Sequence, residues 1–218
     1  MSTASLWLSA EERETIAAAV RAAEARTAAE LVVYVVPRCD GYAHALWKGA
    51  ALGSVGAALG LAAVARLGQW WGAPVEWTAL ATGAGAALGY LAALTDPVRR
   101  WLATPEVMEQ RARERAAEAF LDAQVFRTRE RTGVLLFFAL FERWLVVLAD
   151  EGVTGRVAAA DWDDTVARVA AEMRAQRAAP AILTAIGLAG ELLAGRGLAP
   201  RPDDANELPD APRLEEEE

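Results

Sequence analysis

The side chains able to do chemistry are few, and their types narrow the choice. The chain has one histidine, His44, and one cysteine, Cys39. A zinc centre needs several His or Cys ligands at helix or turn spacing, and a nucleophilic triad needs a His or other base beside its nucleophile. Neither pattern is present, and no Gly-x-x-x-x-Gly-Lys-Ser/Thr loop exists to cradle a nucleotide. Cys39 has no base near it in sequence, and His44 reads as an amphipathic surface or packing residue. What remains is hard-cation or anion chemistry. Asp150, Glu151, Asp161, Asp163 and Asp164 supply carboxylates from neighbouring loops, a set suited to Ca²⁺ or Mg²⁺. Arg131 and Thr132 suit an anion. The bland alternative makes these acids solvated turn residues, with Asp161 as a helix cap.

For such groups to meet, the surrounding elements must form one sheet. Ser9-Ala10-Glu11-Glu12 has capping-box spacing and opens a helix whose apolar face is Ile16, Ala19, Val20 and Ala23. Leu31–Val36 is a continuous apolar run rich in β-branched residues, the signature of a strand covered on both faces. Pro105 opens a second helix, through about residue 124, with Met108, Ala112, Ala116, Ala119, Phe120 and Ala123 inward. Two strands, 133–140 and 143–149, read as a hairpin joined at Phe141-Glu142. Asp161 is placed to cap a helix to about Arg174, and Pro180 to start another to about Leu193, ended by Gly195 and Gly197. Neither half buries itself alone. Together they predict an α/β fold: an α/β/α sandwich on a small mixed sheet, with 31–36 parallel to 133–140. That sheet would gather Glu30, Arg131, Thr132, Asp150 and Glu151 at one edge.

Between the halves lie two stretches without charge, Gly49–Ala65 and Trp77–Thr95. Snorkelling of Lys48 and Arg66 extends the first, so spans at about 46–67 and 77–95 are expected, joined by a Gly/Pro turn at 68–74. The tryptophans fall at interface positions, Trp47 and Trp101 on one side and Trp70, Trp71 and Trp77 on the other. The alternative is a pair of Ala/Gly-rich helices inside a soluble core. Arg38, Lys48, Arg99, Arg100, Arg111 and Arg113 flank the hairpin, whereas the turn side has Arg66, so the positive-inside rule puts both ends in the cytoplasm. Gly49, Gly53, Gly56, Gly60, Gly85 and Gly89 permit close helix approach, within the hairpin or in a homo-oligomer. With Ser54, Thr78 and Thr82 as its inner polar groups, the hairpin reads as an anchor and not a transporter.

The expected organisation is therefore 1–42 and 103–198 as two parts of one domain, 43–102 as a membrane hairpin, and 199–218 as a disordered acidic tail. The net charge of −8 resides almost wholly in that tail, so the folded part is near neutral. With Lys48 the lone lysine and the arginines mixed with glutamates, nucleic-acid binding is excluded. The first nine residues lack a basic region and apolar core, which argues against a cleaved signal peptide. A single cysteine fits a reducing compartment.

Three segments carry a resemblance: Ala28-Ala29-Glu30-Leu31-Val32-Val33, Arg131-Thr132-Gly133-Val134-Leu135-Leu136-Phe137, and Val146 through Val153. Over residues 9–195 the chain resembles the TPM domain family, in particular its bacterial membrane-protein branch with a transmembrane insert. The resemblance implies an α/β/α sandwich. It also brings in a family in which some plant members are associated with acid phosphatase activity and photosystem repair, and some bacterial members bind divalent cations. Ala149-Asp150-Glu151-Gly152 stands where many members have Thr-Gly-x-Gly. The expectation is a cytoplasmic, membrane-anchored interaction or scaffold module of a bacterial inner membrane, with a membrane-protein partner and a role in membrane-protein assembly or quality control. A divalent-metal-dependent phosphatase is the enzymatic alternative, and cation sensing a third.

Overall fold

The computed structural model describes residues 8–68, 75–175, 177–200 and 206–215. The chain divides into two compact units, Met1–Cys39 with Glu109–Glu218, and Asp40–Met108.

The first unit is mixed α/β. Helix α1 (Ala10–Glu24) starts with both halves of the Ser9/Glu12 capping box in place. It leads into β1 (Glu30–Val36). After α5 (Pro105–Asp122) come β2 (Gly133–Ala139) and β3 (Trp144–Ala149). The sheet order is β3-β2-β1-β4, where β4 is the short strand Arg213–Leu214. β1 and β2 are parallel in the register Glu30↔Gly133 to Val36↔Ala139, and β2 and β3 are antiparallel. The parallel direction follows from the crossover, since the chain returns through α5 before β2, and the apolar runs suit strands whose two faces are covered by helices.

Alternate side chains along the strands supply two cores. Leu31, Val33, Val35, Val134, Leu136 and Phe138 pack with α1, α7 (Asp163–Arg174) and α8 (Ala178–Gly195). Val32, Val36, Leu135, Phe137 and Ala139 pack with Ala112, Ala116, Ala119 and Ala123 of α5. The alanine stripe lets α5 lie close to the sheet, and every residue of β2 is buried. Each large side chain removed from water there contributes about 1.5–3 kcal/mol before entropy is counted.

Several expectations shift in detail. The β2–β3 connection occupies Leu140–Arg143, not the two residues Phe141-Glu142, and closes on Arg143 in the left-handed region (φ 58°). Asp161 does not cap α7 directly. It lies in a 3-10 turn, Ala159–Trp162, where its carboxylate accepts from the Ala158 N–H. A short helix α6 (Glu151–Thr154) follows β3. The expectation of a disordered tail fails for residues 206–215. They lie along β1, with Leu208 buried and Leu214 packed against the core, because two apolar side chains among the acids find cover there.

The second unit is built on α2 (Ala43–Leu67) and α3 (Val75–Ala93), followed by α4 (Asp96–Leu102). Of the turn expected at 68–74, residues 69–74 lie outside the described residues. Glycines set the approach of α2 and α3: a Cβ on Gly53 would lie 2.1 Å from the Gly85 carbonyl oxygen, and one on Gly49 2.6 Å from that of Gly89. Gly56 and Gly60, also considered for close approach, face open space. The Arg99 side chain is buried and caps the end of α3, donating from Nε to Ala93 O (3.2 Å) and from Nη2 to Leu94 O (3.1 Å). Lys48 Nζ donates to Leu102 O at 3.2 Å.

Among the described residues two helices are long and apolar enough to cross a membrane, α2 and α8. They are used differently. In α8, 44% of the apolar window is buried, with Ile182, Ile186 and Leu193 in the core of the first unit; in α2 none is. The expected second span, 77–95, corresponds to α3, which meets the same standard only together with α4 across a bend of 103°. Glu76, the threonines and the glycines lower its hydropathy.

Gly53→Ile forces a side chain into the α2–α3 contact and is expected to destabilise the hairpin by about 1–3 kcal/mol. Gly60→Ile should be nearly neutral. Thermal unfolding of the two variants in detergent checks this, and equal melting temperatures would refute the packing.

Candidate functional site

The start of β1 and β2 and the end of β3 form one edge of the sheet. The paired residues Glu30↔Gly133 and Val134↔Ala149 fix it. Arg131 and Asp150 meet there in a two-pronged ion pair, Nε to Oδ2 at 2.7 Å and Nη2 to Oδ1 at 2.9 Å. Asp150 is buried and also accepts from the Glu151 N–H (2.8 Å), capping α6, while half of the Arg131 side chain stays in solvent. The pair raises the Arg131 guanidinium above its ordinary range through the hydrogen bonds to Asp150.

The backbone is arranged around that pair. Arg131 adopts a left-handed conformation (φ 58°), and its carbonyl accepts from the Gly152 N–H at 2.8 Å. A Cβ at Gly152 would lie 2.2 Å from the Glu130 carbonyl oxygen, so this position requires glycine. Thr132 is buried, and its N–H donates to Thr128 Oγ1 at 2.8 Å.

Of the remaining acids, Glu151 adjoins this pair, its charge acting on Arg131, and the others are held elsewhere. Asp161 is ion-paired with Arg196. Asp163 and Asp164 are exposed in the first turn of α7, with Asp164 3.8 Å from Arg168. Glu151 is exposed on α6. Asp150, Glu151, Asp161, Asp163 and Asp164 are thus not assembled into one ligand set, and among the described residues no group of three or more His, Cys, Asp or Glu is placed to hold a metal. Both Asp150 oxygens are already occupied by Arg131. Of the residues read as an anion site, Arg131 turns Nε and Nη2 to Asp150, and Thr132 gives its N–H to Thr128.

The structure instead assembles an acidic group that the sequence did not point to. Glu24, at the end of α1, accepts from the Leu31 N–H at 2.8 Å. Burial pushes its carboxyl up to about 8, and Glu30 and Asp210 beside it add to the shift, while the Leu31 N–H opposes it. Asp210 also lies 3.6 Å from Arg21 Nη1. Glu30 is buried, and its Oε2 accepts from the Leu208 N–H at 3.2 Å. The sequence signal for this cluster was Leu208 and Leu214, the apolar residues in an otherwise polar tail.

At the opposite end of β1, the Cys39 N–H donates to Glu142 Oε1 at 2.9 Å. Burial, with the Glu142 carboxylate next, drives the Cys39 thiol far above its ordinary value. It is therefore held as a thiol and is a poor nucleophile. Arg38 stacks over the Phe141 ring, 4.5 Å from its centroid. His44 is exposed in the second unit, edge-on to Tyr42.

No family model matches the chain, and no curated protein is significantly similar to it. Among solved structures it is similar to the NMR structure of the BA42 protein from the psychrophilic bacterium Bizionia argentinensis, with 18% identity, 96% of each chain covered and a TM-score of 0.58. At that identity the likeness concerns the fold alone.

Two outcomes test the geometry. Asp150→Ala removes a helix cap and leaves Arg131 without its partner, so a loss of about 1–3 kcal/mol is expected in chemical unfolding. For Glu24 the folded-state value is raised, so its contribution to stability is fully present below the ordinary carboxylate value and is lost as pH rises toward about 8. Glu24→Gln keeps the acceptor for Leu31 but cannot ionise. Its melting temperature relative to the parent should therefore rise steadily from pH 5 to pH 9; a constant difference would show that Glu24 titrates normally.

Proposed function

We propose that the chain is a membrane-anchored interaction module. In this reading α2 and α3 are a lipid-embedded hairpin, and the α/β unit lies on the cytoplasmic side of a bacterial inner membrane. The observation that carries it is the way the hairpin sorts its side chains. Its small residues meet inside, at Gly49, Gly53, Gly85 and Gly89, while Trp47, Leu52, Val55, Leu59, Val64, Leu80, Leu88 and Leu91 point outward and are exposed. In water such a surface is costly; in lipid, where helices associate through close small-residue contacts, it is the expected arrangement. With 25 and 19 residues, α2 and α3 are about 37 Å and 28 Å long, against a hydrocarbon core of about 30 Å. The alternative, a soluble core holding two all-round apolar helices, leaves those side chains without cover.

The arginines flanking the hairpin support cytoplasmic ends, and two spans return the chain to the side it left. The inner polar groups are hydroxyls, of which Thr82 bonds back to the Thr78 and Ala79 carbonyls, so the spans serve as an anchor and not as a transport path. For the α/β unit, the resemblance to the bacterial membrane branch of the TPM family supports a scaffold role in membrane-protein assembly or quality control. The cation-binding reading, which named Asp150, Glu151, Asp161, Asp163 and Asp164, and the phosphatase reading, which leans on the family resemblance, draw less from the geometry, because Asp150 is matched by Arg131 and Asp161 by Arg196.

Topology is tested with single cysteines in a Cys39→Ser background, expressed in a bacterium. Gln69→Cys, between the spans, should react with a membrane-impermeant maleimide in intact cells. Leu121→Cys, exposed on α5, should react only after lysis. Labelling of both in intact cells, or of neither, would reject the arrangement.

A further inference from the structure

The outer edge of β1 is covered by the chain's own C-terminal segment, and the manner of covering is unlike that of the other strands. β1 pairs with β2 over seven residues, but β4 pairs with it only at Tyr34↔Arg213 and Val35↔Leu214. The backbone contact is extended by one bond, Glu215 N to Val35 O at 3.0 Å. Two apolar side chains, Leu208 and Leu214, reach opposite faces of the sheet and join the two cores from the side.

The rest of the attachment is electrostatic and runs along the whole segment. Glu207 Oε2 accepts from the Arg129 N–H at 2.6 Å, Asp210 faces Arg21, and Glu215 is ion-paired with Arg115. Arg213 reaches the Asp122 carbonyl at the end of α5. An extended, acidic peptide is thus seated in a slot built by α1, β1 and α5: two apolar sockets, a strand edge between them, a backbone N–H of Arg129 at one end, Arg21 at the middle and Arg115 at the other end. This is the geometry of strand addition, in which main-chain bonds provide affinity and side-chain sockets provide selectivity.

We infer that the β1 edge is a docking site for an extended protein segment, with residues 206–215 as its built-in, exchangeable occupant. The partner that displaces it is an unstructured acidic peptide segment carrying an aliphatic residue, then a second six positions later followed directly by a carboxylate, as Leu208, Leu214 and Glu215 stand here. The tail consequently keeps the edge closed when no partner is present. The two-residue pairing explains why it can leave without dismantling the sheet: β1 keeps its full ladder with β2, and both cores keep their sheet and helix contributions. The ionic anchors make exchange sensitive to salt. The inference gives the interaction module its surface and rests on that reading for its role. Its test is independent of the membrane, so failed exchange would leave the anchoring reading intact, and failed topology would leave the exchange result standing.

The experiment starts from the full chain, folded in detergent, with a protease recognition sequence inserted between Pro202 and Asp203. After cleavage, the segment is expected to stay bound at low salt and to separate on gel filtration at high salt. The remainder should keep its circular dichroism and a cooperative melt. A fluorescent synthetic peptide of residues 206–215 should then rebind, and its Glu215→Arg version should bind about tenfold more weakly, since reversal leaves Arg115 facing a like charge. The uncut chain should not bind the peptide. Unfolding of the remainder on loss of the segment, retention of the segment through high salt, or equal binding of the two peptides would each overturn the inference.

Discussion

The structure depends on β1 reaching β2. Seven residues of β1 are too apolar to stay in water and too few to fold alone, and their parallel partner begins only at Gly133. Everything between Val36 and Gly133 has to leave the sheet and return beside its point of departure. That requirement shapes α5, whose alanine stripe brings the returning chain back over one face of the sheet. It also fits the insert, a helical hairpin whose two ends return to the same level.

This constraint explains what could be read from the residues alone. The capping box at Ser9, the oily runs of β1 and β2, and the alanine periodicity of α5 are local signals that agree with the tertiary outcome, so the mixed α/β sheet with its parallel pair was legible. The acids were not. Asp150 and Glu151 do fall at the predicted sheet edge, but composition cannot distinguish a carboxylate waiting for a cation from one already matched by a guanidinium. That depends on the left-handed turn at Arg131, which points its side chain back at Asp150. The group around Glu24 was hidden for a different reason: its members come from α1, β1 and the tail, and no spacing rule links them.

The tail shows how composition can mislead when it is averaged. Its acids argue for disorder, and they dominate any window drawn over it. Leu208 and Leu214 decide the matter because each meets a surface that already exists, while Asp210 between them meets Arg21 of α1 and Glu215 just beyond meets Arg115 of α5. Electrostatics of this kind add little pair by pair at a surface. Strung along one extended segment, they set its direction and register on β1.

The insert also dictates an order of events during synthesis. α1 and β1 leave the ribosome first, then α2 and α3, and only later β2, so β1 exists for that interval as a bare apolar strand with both edges open. Translation at about 5–20 residues per second makes the interval several seconds or more. A strand in that condition is prone to pair with the wrong neighbour, so the nascent chain needs a shield for β1 until residue 139 has emerged. If the hairpin is lipid-embedded as proposed, its delivery to the bilayer during that interval would hold the waiting strand at a surface, away from other unfinished chains.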